Sequence, residues 1–141
     1  MKFKMRVLHF SKNDNASAIA AAIAKAQQTN SDQIPPAYNC ENEKLVFVCA
    51  EVGKKLDEKV VAFMSNLNSD RVRNIAFIGV GTNTDAAIGE LKGMAEKLGI
   101  KVAGSMECTV KSGLFRKGKV SDADIKKCTD WADGIVNALA N

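Results

Sequence analysis

The chain has 141 residues, 46% of them hydrophobic and 26% charged, which is enough apolar material for the core of one domain spanning residues 1–141. The net charge is +4, and residues 111–119 contribute four cations and no acid, so that 16 basic and 16 acidic residues remain elsewhere. No apolar run approaches the roughly 20 residues that span a bilayer and no signal peptide precedes the domain, which predicts a cytoplasmic protein without membrane contact.

The first half of the chain predicts two buried strands. Lys4 to Phe10 is an apolar run, and the polar residues that follow lead into an alanine-rich helix that ends near Gln28. Ile34 to Tyr38 can form only a short or edge strand, because its two prolines lack the N–H that a ladder needs. Residues 39–43 are too few for a crossover helix, and the apolar run from Lys44 to Ala50 predicts the next buried strand.

The second half continues the alternation of helices and strands. A helical apolar stripe from Leu56 to Leu67 precedes a strand from Asn74 to Val80. Residues 82–85 then cap a helix that ends at Gly99, and Lys101 to Glu107 forms a further strand. Residues 121–124 read Ser-Asp-Ala-Asp, which resembles a capping box and opens the last helix. This order predicts an α/β fold with a parallel sheet and helices on both faces.

The four cysteines are predicted to be free thiols. They show no Cys-x-x-Cys spacing, and His9 is the only histidine, so a zinc or iron–sulfur site is not expected. Cys49 and Cys108 both lie near carboxyl ends of strands. We expect His9 to be a satisfied histidine inside the first strand.

The basic segment 111–119 leaves two interpretations open. It is either a solvated loop or a docking site for an acidic partner or a phosphate-bearing ligand. It lacks the interleaved aromatics of a nucleic-acid platform, so no nucleic-acid partner is expected. Its cations are Lys111, Arg116, Lys117 and Lys119.

The loop after the first strand resembles the phosphate loop of the flavodoxin family. Residues 9–16, His-Phe-Ser-Lys-Asn-Asp-Asn-Ala, lie where flavodoxins carry S/T-x-T-G-N-T. Residues 34–44 and the stretch from Cys108 to the last helix resemble short flavodoxin-like proteins of anaerobic bacteria. The resemblance implies a three-layer flavodoxin-like sandwich of about five strands in the order 2-1-3-4-5, with the helix after strand 2 reduced or absent. In that order one strand would separate Cys49 from Cys108, which puts them roughly 9.6 Å apart and too far for a disulfide.

The loop departs from the family pattern at three positions. Ser11 and Asn15 match, whereas Asn13, Asp14 and Ala16 replace Thr, Gly and Thr. A carboxylate at position 14 would repel a phosphate, and Lys12 supplies a compensating cation. The loops 51–55 and 81–85 have no aromatic residue to stack on a flavin, so Phe115 would be the nearest substitute.

The resemblance implies a small electron-transfer protein or reductase accessory that binds FMN and a redox partner protein, and no catalytic or metal-binding residue is assigned. It is more typical of an electron carrier than of an enzyme with its own substrate, although a flavin-dependent reductase stays open. The alternative is a flavodoxin-fold binding module that has lost FMN and binds another anion or a protein. The cofactor-binding positions that it implies are Ser11, Lys12, Asn13, Asp14, Asn15, Ala16, Glu51, Val52, Gly53, Gly81, Thr82 and Asn83.

Overall fold

The protein is described by a computed structural model, which covers residues 2–110 and 118–141. In chain order the elements are β1 (Met5–Phe10), α1 (Asn15–Ala26), β2 (Ser31–Gln33), β3 (Glu43–Glu51), α2 (Glu58–Ser65), β4 (Val72–Gly81), α3 (Asp85–Lys97), β5 (Lys101–Thr109) and α4 (Asp122–Ala140). The strands pair in parallel, in the order β2-β1-β3-β4-β5. The predicted strand order is confirmed, as is the absence of a helix between β2 and β3 within the described part of the chain.

The two central strands, β3 and β4, are buried along most of their length. Helices cover both faces of the sheet at this point, so neither face can be polar, and the sequence is a nearly continuous apolar run. Phe47 on β3 and Phe77 on β4 are fully buried, on opposite faces of the sheet.

The sheet divides the apolar core into two clusters. On one face α2 and α3 pack against the sheet through residues such as Phe63, Met64 and Leu91. On the other face α1 and α4 pack against it through Ile19, Ile23 and Ala132, among others. These contacts make the three-layer sandwich that the alternation of elements predicts.

The edge strand β2 lies earlier than the sequence predicted. It covers Ser31–Gln33 rather than Ile34 to Tyr38, and it pairs with β1 from Val7 to His9. The backbone N–H of Ile34 donates one more hydrogen bond to the His9 carbonyl at 2.8 Å. Pro35 and Pro36 follow directly, and they end the ladder because proline has no N–H.

Two helix ends follow their local sequence. At the start of α4, Ser121 and Asp124 form the predicted capping box, with each side chain accepting from the other residue's backbone N–H. After α3, Gly99 adopts a φ of 77°, as expected of a glycine that ends a helix. Within residues 2–110 and 118–141, no helix has the length and apolar character to cross a membrane.

Candidate functional site

Four loops meet at the edge of the sheet where the strands end. They follow β1, β3, β4 and β5, and together they border a cavity of about 200 Å³. In open parallel sheets this edge is where ligands bind. The lining residues are Lys12, Asn13, Asn15, Glu51, Val52, Gly53, Val80, Gly81, Thr82, Val110 and Gly118.

The loop after β1 contributes Lys12, Asn13 and Asn15 to the lining of this cavity. Asp14 is the N-cap of α1 and has a φ of 63°, the left-handed conformation for which the family pattern provides glycine. Its carbonyl accepts from the N–H of Ala18 at 3.1 Å and from the hydroxyl of Ser17 at 3.0 Å. The Ser11 hydroxyl accepts from the Ser17 N–H at 2.7 Å. These bonds turn the backbone N–H groups at residues 12, 13 and 16 toward a common point.

The carboxylate of Glu51 occupies that point. One oxygen accepts from the N–H of Lys12 at 3.0 Å and of Ala16 at 3.3 Å, and the other accepts from the N–H of Asn13 at 3.0 Å. Glu51 is the last residue of β3, which pairs with β1 at Ala50 and Phe10. The side chain therefore needs to reach only across one strand spacing. Glu51 is 9% exposed, so the backbone N–H groups solvate its charge in place of water.

Asn15 closes the same loop from another side. Its amide nitrogen donates to the Gly118 carbonyl at 3.1 Å, and its amide oxygen accepts from the Val120 N–H at 2.9 Å. Asn15 is buried, so both halves of its amide are satisfied by the segment that follows β5. This pair of bonds fixes the residues before α4 against the first turn of α1.

The residues that follow β3 and β5 are each held to the end of β4 by a backbone hydrogen bond. The Val52 N–H donates to the Val80 carbonyl at 2.9 Å, and the Val110 N–H donates to the Gly81 carbonyl at 3.0 Å. Gly81 has a φ of 156°, and a Cβ there would lie 2.7 Å from the Val52 carbonyl oxygen. Only glycine lets these two chain segments approach so closely.

Thr84 lies within residues 82–85, which the sequence predicts to cap α3. It holds the N-cap position, but its side chain makes no capping bond. Its hydroxyl instead donates to a carboxylate oxygen of Glu107 at 2.8 Å. Glu107 lies on β5, which pairs with β4. Thr84 follows β4 closely, so its hydroxyl lies within hydrogen-bonding distance of the Glu107 carboxylate.

The four cysteines and His9 are not part of the lining of this cavity. All four cysteines are free, as predicted, and the structure buries all four. Complete burial raises the pKa of Cys49 to about 12. Cys108 and Cys128 share a hydrogen bond that lowers the pKa of Cys108 and raises that of Cys128. The expectation for His9 was wrong, because its buried Nδ1 has no hydrogen-bond partner among the described residues. Burial lowers its pKa.

The structure brings together most of the sequence-predicted site residues. Those that line the cavity are Lys12, Asn13, Asn15, Glu51, Val52, Gly53, Gly81 and Thr82. Ser11, Asp14, Ala16 and Asn83 are not part of the lining. Sequence reasoning missed Val80, Val110 and Gly118, which line the cavity through strand ends and loop closure. Lys111, Phe115, Arg116 and Lys117 lie outside the described residues, and Lys119 is exposed.

The sequence matches no family model and no curated protein. Solved structures, however, match nearly the whole chain. The flavodoxin of Streptococcus pneumoniae TIGR4 superposes with a TM-score of 0.72 at 12% identity, over 95% of this chain and 98% of that one. Flavodoxin 2 from Bacillus cereus gives a TM-score of 0.69 at 12% identity, over 96% and 99% of the two chains.

The chain has a flavodoxin-like fold. The same fold also occurs inside larger proteins: a flavodiiron core from Synechocystis sp. PCC6803 matches 97% of this chain with 37% of its own length, at 16% identity and a TM-score of 0.67. At these identities the likeness establishes the fold and leaves the ligand to be argued from the site.

The residues at the edge of this flavodoxin-like fold do not fit the phosphate of FMN. The backbone donors that would receive a phosphate already bind the Glu51 carboxylate. A dianion brought to the same donors would meet a buried negative charge, which is unfavourable at short range. The loops 51–55 and 81–85 also offer no aromatic ring for stacking.

Proposed function

We propose that this protein is a flavodoxin-fold binding module that does not use FMN and that takes a small uncharged ligand at the carboxyl edge of its sheet. The observation that carries the proposal is the occupation of three backbone N–H groups by the carboxylate of Glu51. An anion site that is filled by the protein's own side chain is not available to a cofactor phosphate.

The remaining surface of the cavity supports an uncharged ligand. Lys12 is the one cation among the described lining residues, and Glu51 is the one acid. The rest of the lining is uncharged and consists of glycines, valines, Thr82 and the two asparagines, Asn13 and Asn15. Backbone groups at such an edge donate and accept hydrogen bonds without requiring a charged partner.

The size of the cavity agrees with a small ligand. Its volume of about 200 Å³ lies below the roughly 300–1,000 Å³ of sites that enclose drug-sized molecules. The four free thiols fit a reducing compartment, and we place the protein in the cytoplasm on that ground.

The second candidate function is an FMN-dependent electron carrier. It is favoured by the likeness of the fold to flavodoxins over nearly the full chain. FMN binding would require the Glu51 side chain to leave the loop and expose its donors. A redox partner, expected to be acidic, would then dock beside the site near the exposed Lys119.

Titration of the unmodified protein with FMN and with riboflavin separates the two functions. The two flavins differ only in the phosphate, so a working phosphate site would make FMN bind much more tightly. We expect no preference for FMN in calorimetry or in the visible spectrum. A tenfold or greater preference for FMN, about 1.4 kcal/mol, would refute the binding module and favour the carrier.

A further inference from the structure

The carboxylate of Glu51 has the surroundings of a bound ligand rather than of a surface side chain. Both of its oxygens are used, and the three donors belong to the turn that opens a 12-residue helix. Converging backbone N–H groups and the positive end of a helix dipole favour an anion at this point. The anion site at the start of α1 is therefore filled by a side chain of the protein itself, the carboxylate of Glu51.

The backbone of Glu51 is held beside the loop that its carboxylate binds. Glu51 pairs with Val80 on β4, while the preceding Ala50 pairs with Phe10 on β1. The next residue, Val52, donates to the Val80 carbonyl. The pairing of β3 with β1 and β4 thus fixes the position of the Glu51 Cα, and from there the side chain is long enough to bind the loop after β1.

We propose that Glu51 is the specificity-determining residue of this cavity, acting as an intramolecular anion that excludes phosphate monoesters. This inference rests on the proposed function, because it explains how a flavodoxin-like fold selects against a phosphate-bearing ligand. It predicts that the donors themselves remain competent. Once the carboxylate is removed, the N–H groups of Lys12, Asn13 and Ala16 should bind a free oxyanion.

The charged groups around the loop agree with this assignment. Lys12 is a cation in the cavity lining, and it would remain to attract an anion after Glu51 is replaced. Asp14 makes no hydrogen bond to the helix through its side chain, so it does not occupy the same donors. Of the carboxylates of Asp14 and Glu51, it is that of Glu51 that would compete with a phosphate for the backbone N–H donors.

Inorganic phosphate tests the inference on two variants of the full chain. Glu51→Ala removes the carboxylate, and Glu51→Gln keeps its shape while removing its charge. The control is Glu90→Gln, an exposed position on α3 that loses the same charge away from the site. Binding is measured by calorimetry and by the phosphorus resonance, with chloride at matched ionic strength as the reference for screening.

We expect Glu51→Ala to bind phosphate at least tenfold more tightly than the unmodified protein, and Glu51→Gln to lie between the two because its amide oxygen can still accept. Glu90→Gln should behave as the unmodified protein does. If Glu51→Ala binds phosphate no better than the unmodified protein, the inference is wrong.

A measurement on the unmodified protein can still refute the inference if a Glu51 variant does not fold. The amide resonances of Lys12, Asn13 and Ala16 should not shift when phosphate is added at roughly 10 mM, a concentration that would populate a millimolar site. Phosphate-specific shifts at these three amides would overturn the inference. Failure of this inference can be told apart from failure of the proposed function. The proposed function fails if the unmodified protein prefers FMN over riboflavin, whereas the inference alone fails if Glu51→Ala does not gain phosphate binding.

Discussion

Replacement of Gly81 by alanine should be among the most damaging single-methyl changes in this protein. The new Cβ would lie 2.7 Å from the carbonyl oxygen of Val52, which is a backbone atom and cannot rotate away. A φ of 156° adds backbone strain of about 1–3 kcal/mol for a residue other than glycine. Displacing Val52 also weakens its hydrogen bond to Val80, worth about 0.5–1.5 kcal/mol.

Together these effects predict a loss of about 2–4 kcal/mol in the free energy of unfolding, which for a chain of this size lowers Tm by roughly 6–16 °C. The matched control is Gly89→Ala on α3, where a Cβ meets no atom within 4 Å. Alanine is the better helix former, so this change should raise stability by about 0.5–1 kcal/mol. Urea and thermal unfolding followed by circular dichroism measure both. Equal stability of the two variants would refute the reasoning.

Two further predictions follow from buried titratable groups. Because burial raises the pKa of Cys49 to about 12, we expect iodoacetamide at neutral pH to leave this thiol unlabelled in the native protein and to label it in denaturant, as mass spectrometry of the peptides would show. Labelling of Cys49 under native conditions would contradict its burial. Burial lowers the pKa of His9 below that of the unfolded chain, so its contribution to stability is complete above about pH 6.5 and is lost as the pH falls. The unmodified protein should therefore lose more stability than His9→Gln between about pH 7.5 and 5.5, and identical pH profiles in urea unfolding would show that His9 has no part in it.

The central strands of the sheet could be predicted from the sequence because they are almost continuously apolar. The run from Leu45 to Cys49 is apolar at every position, and the structure buries all of it. The strand order came from the family resemblance rather than from the residues themselves, and the structure confirms it.

The position of β2 could not be predicted because its residues carry no apolar signal. Ser31, Asp32 and Gln33 are polar, and they form a strand only because the edge of β1 offers hydrogen-bond partners to whatever segment passes beside it. The prolines, which did give a signal, mark where this strand ends rather than where it lies. Tertiary context decided the pairing here, as it often does for edge strands.

The role of Glu51 shows what the sequence gives of the site and what it leaves out. Its position at the carboxyl end of a buried strand placed it correctly at the candidate site. Its partners are set by the neighbouring strand, because the β1–β3 register puts Ala50 beside Phe10 and so brings the carboxylate to the loop. This register depends on how β1 and β3 pair in the folded protein, so the sequence of either strand alone does not reveal it. The predicted contact of Glu51 with a cofactor stays a prediction.

The division of the core by the sheet has a consequence for how this protein can evolve. The cluster that contains Phe77 and the cluster that contains Phe47 lie on opposite faces and are bridged by the backbone of the strands rather than by shared side chains. Substitutions in the two layers are therefore expected to add with little coupling, except where they displace the strand backbone that both layers share. A lineage can replace the packing of α2 and α3 while α1 and α4 remain unchanged, and the reverse.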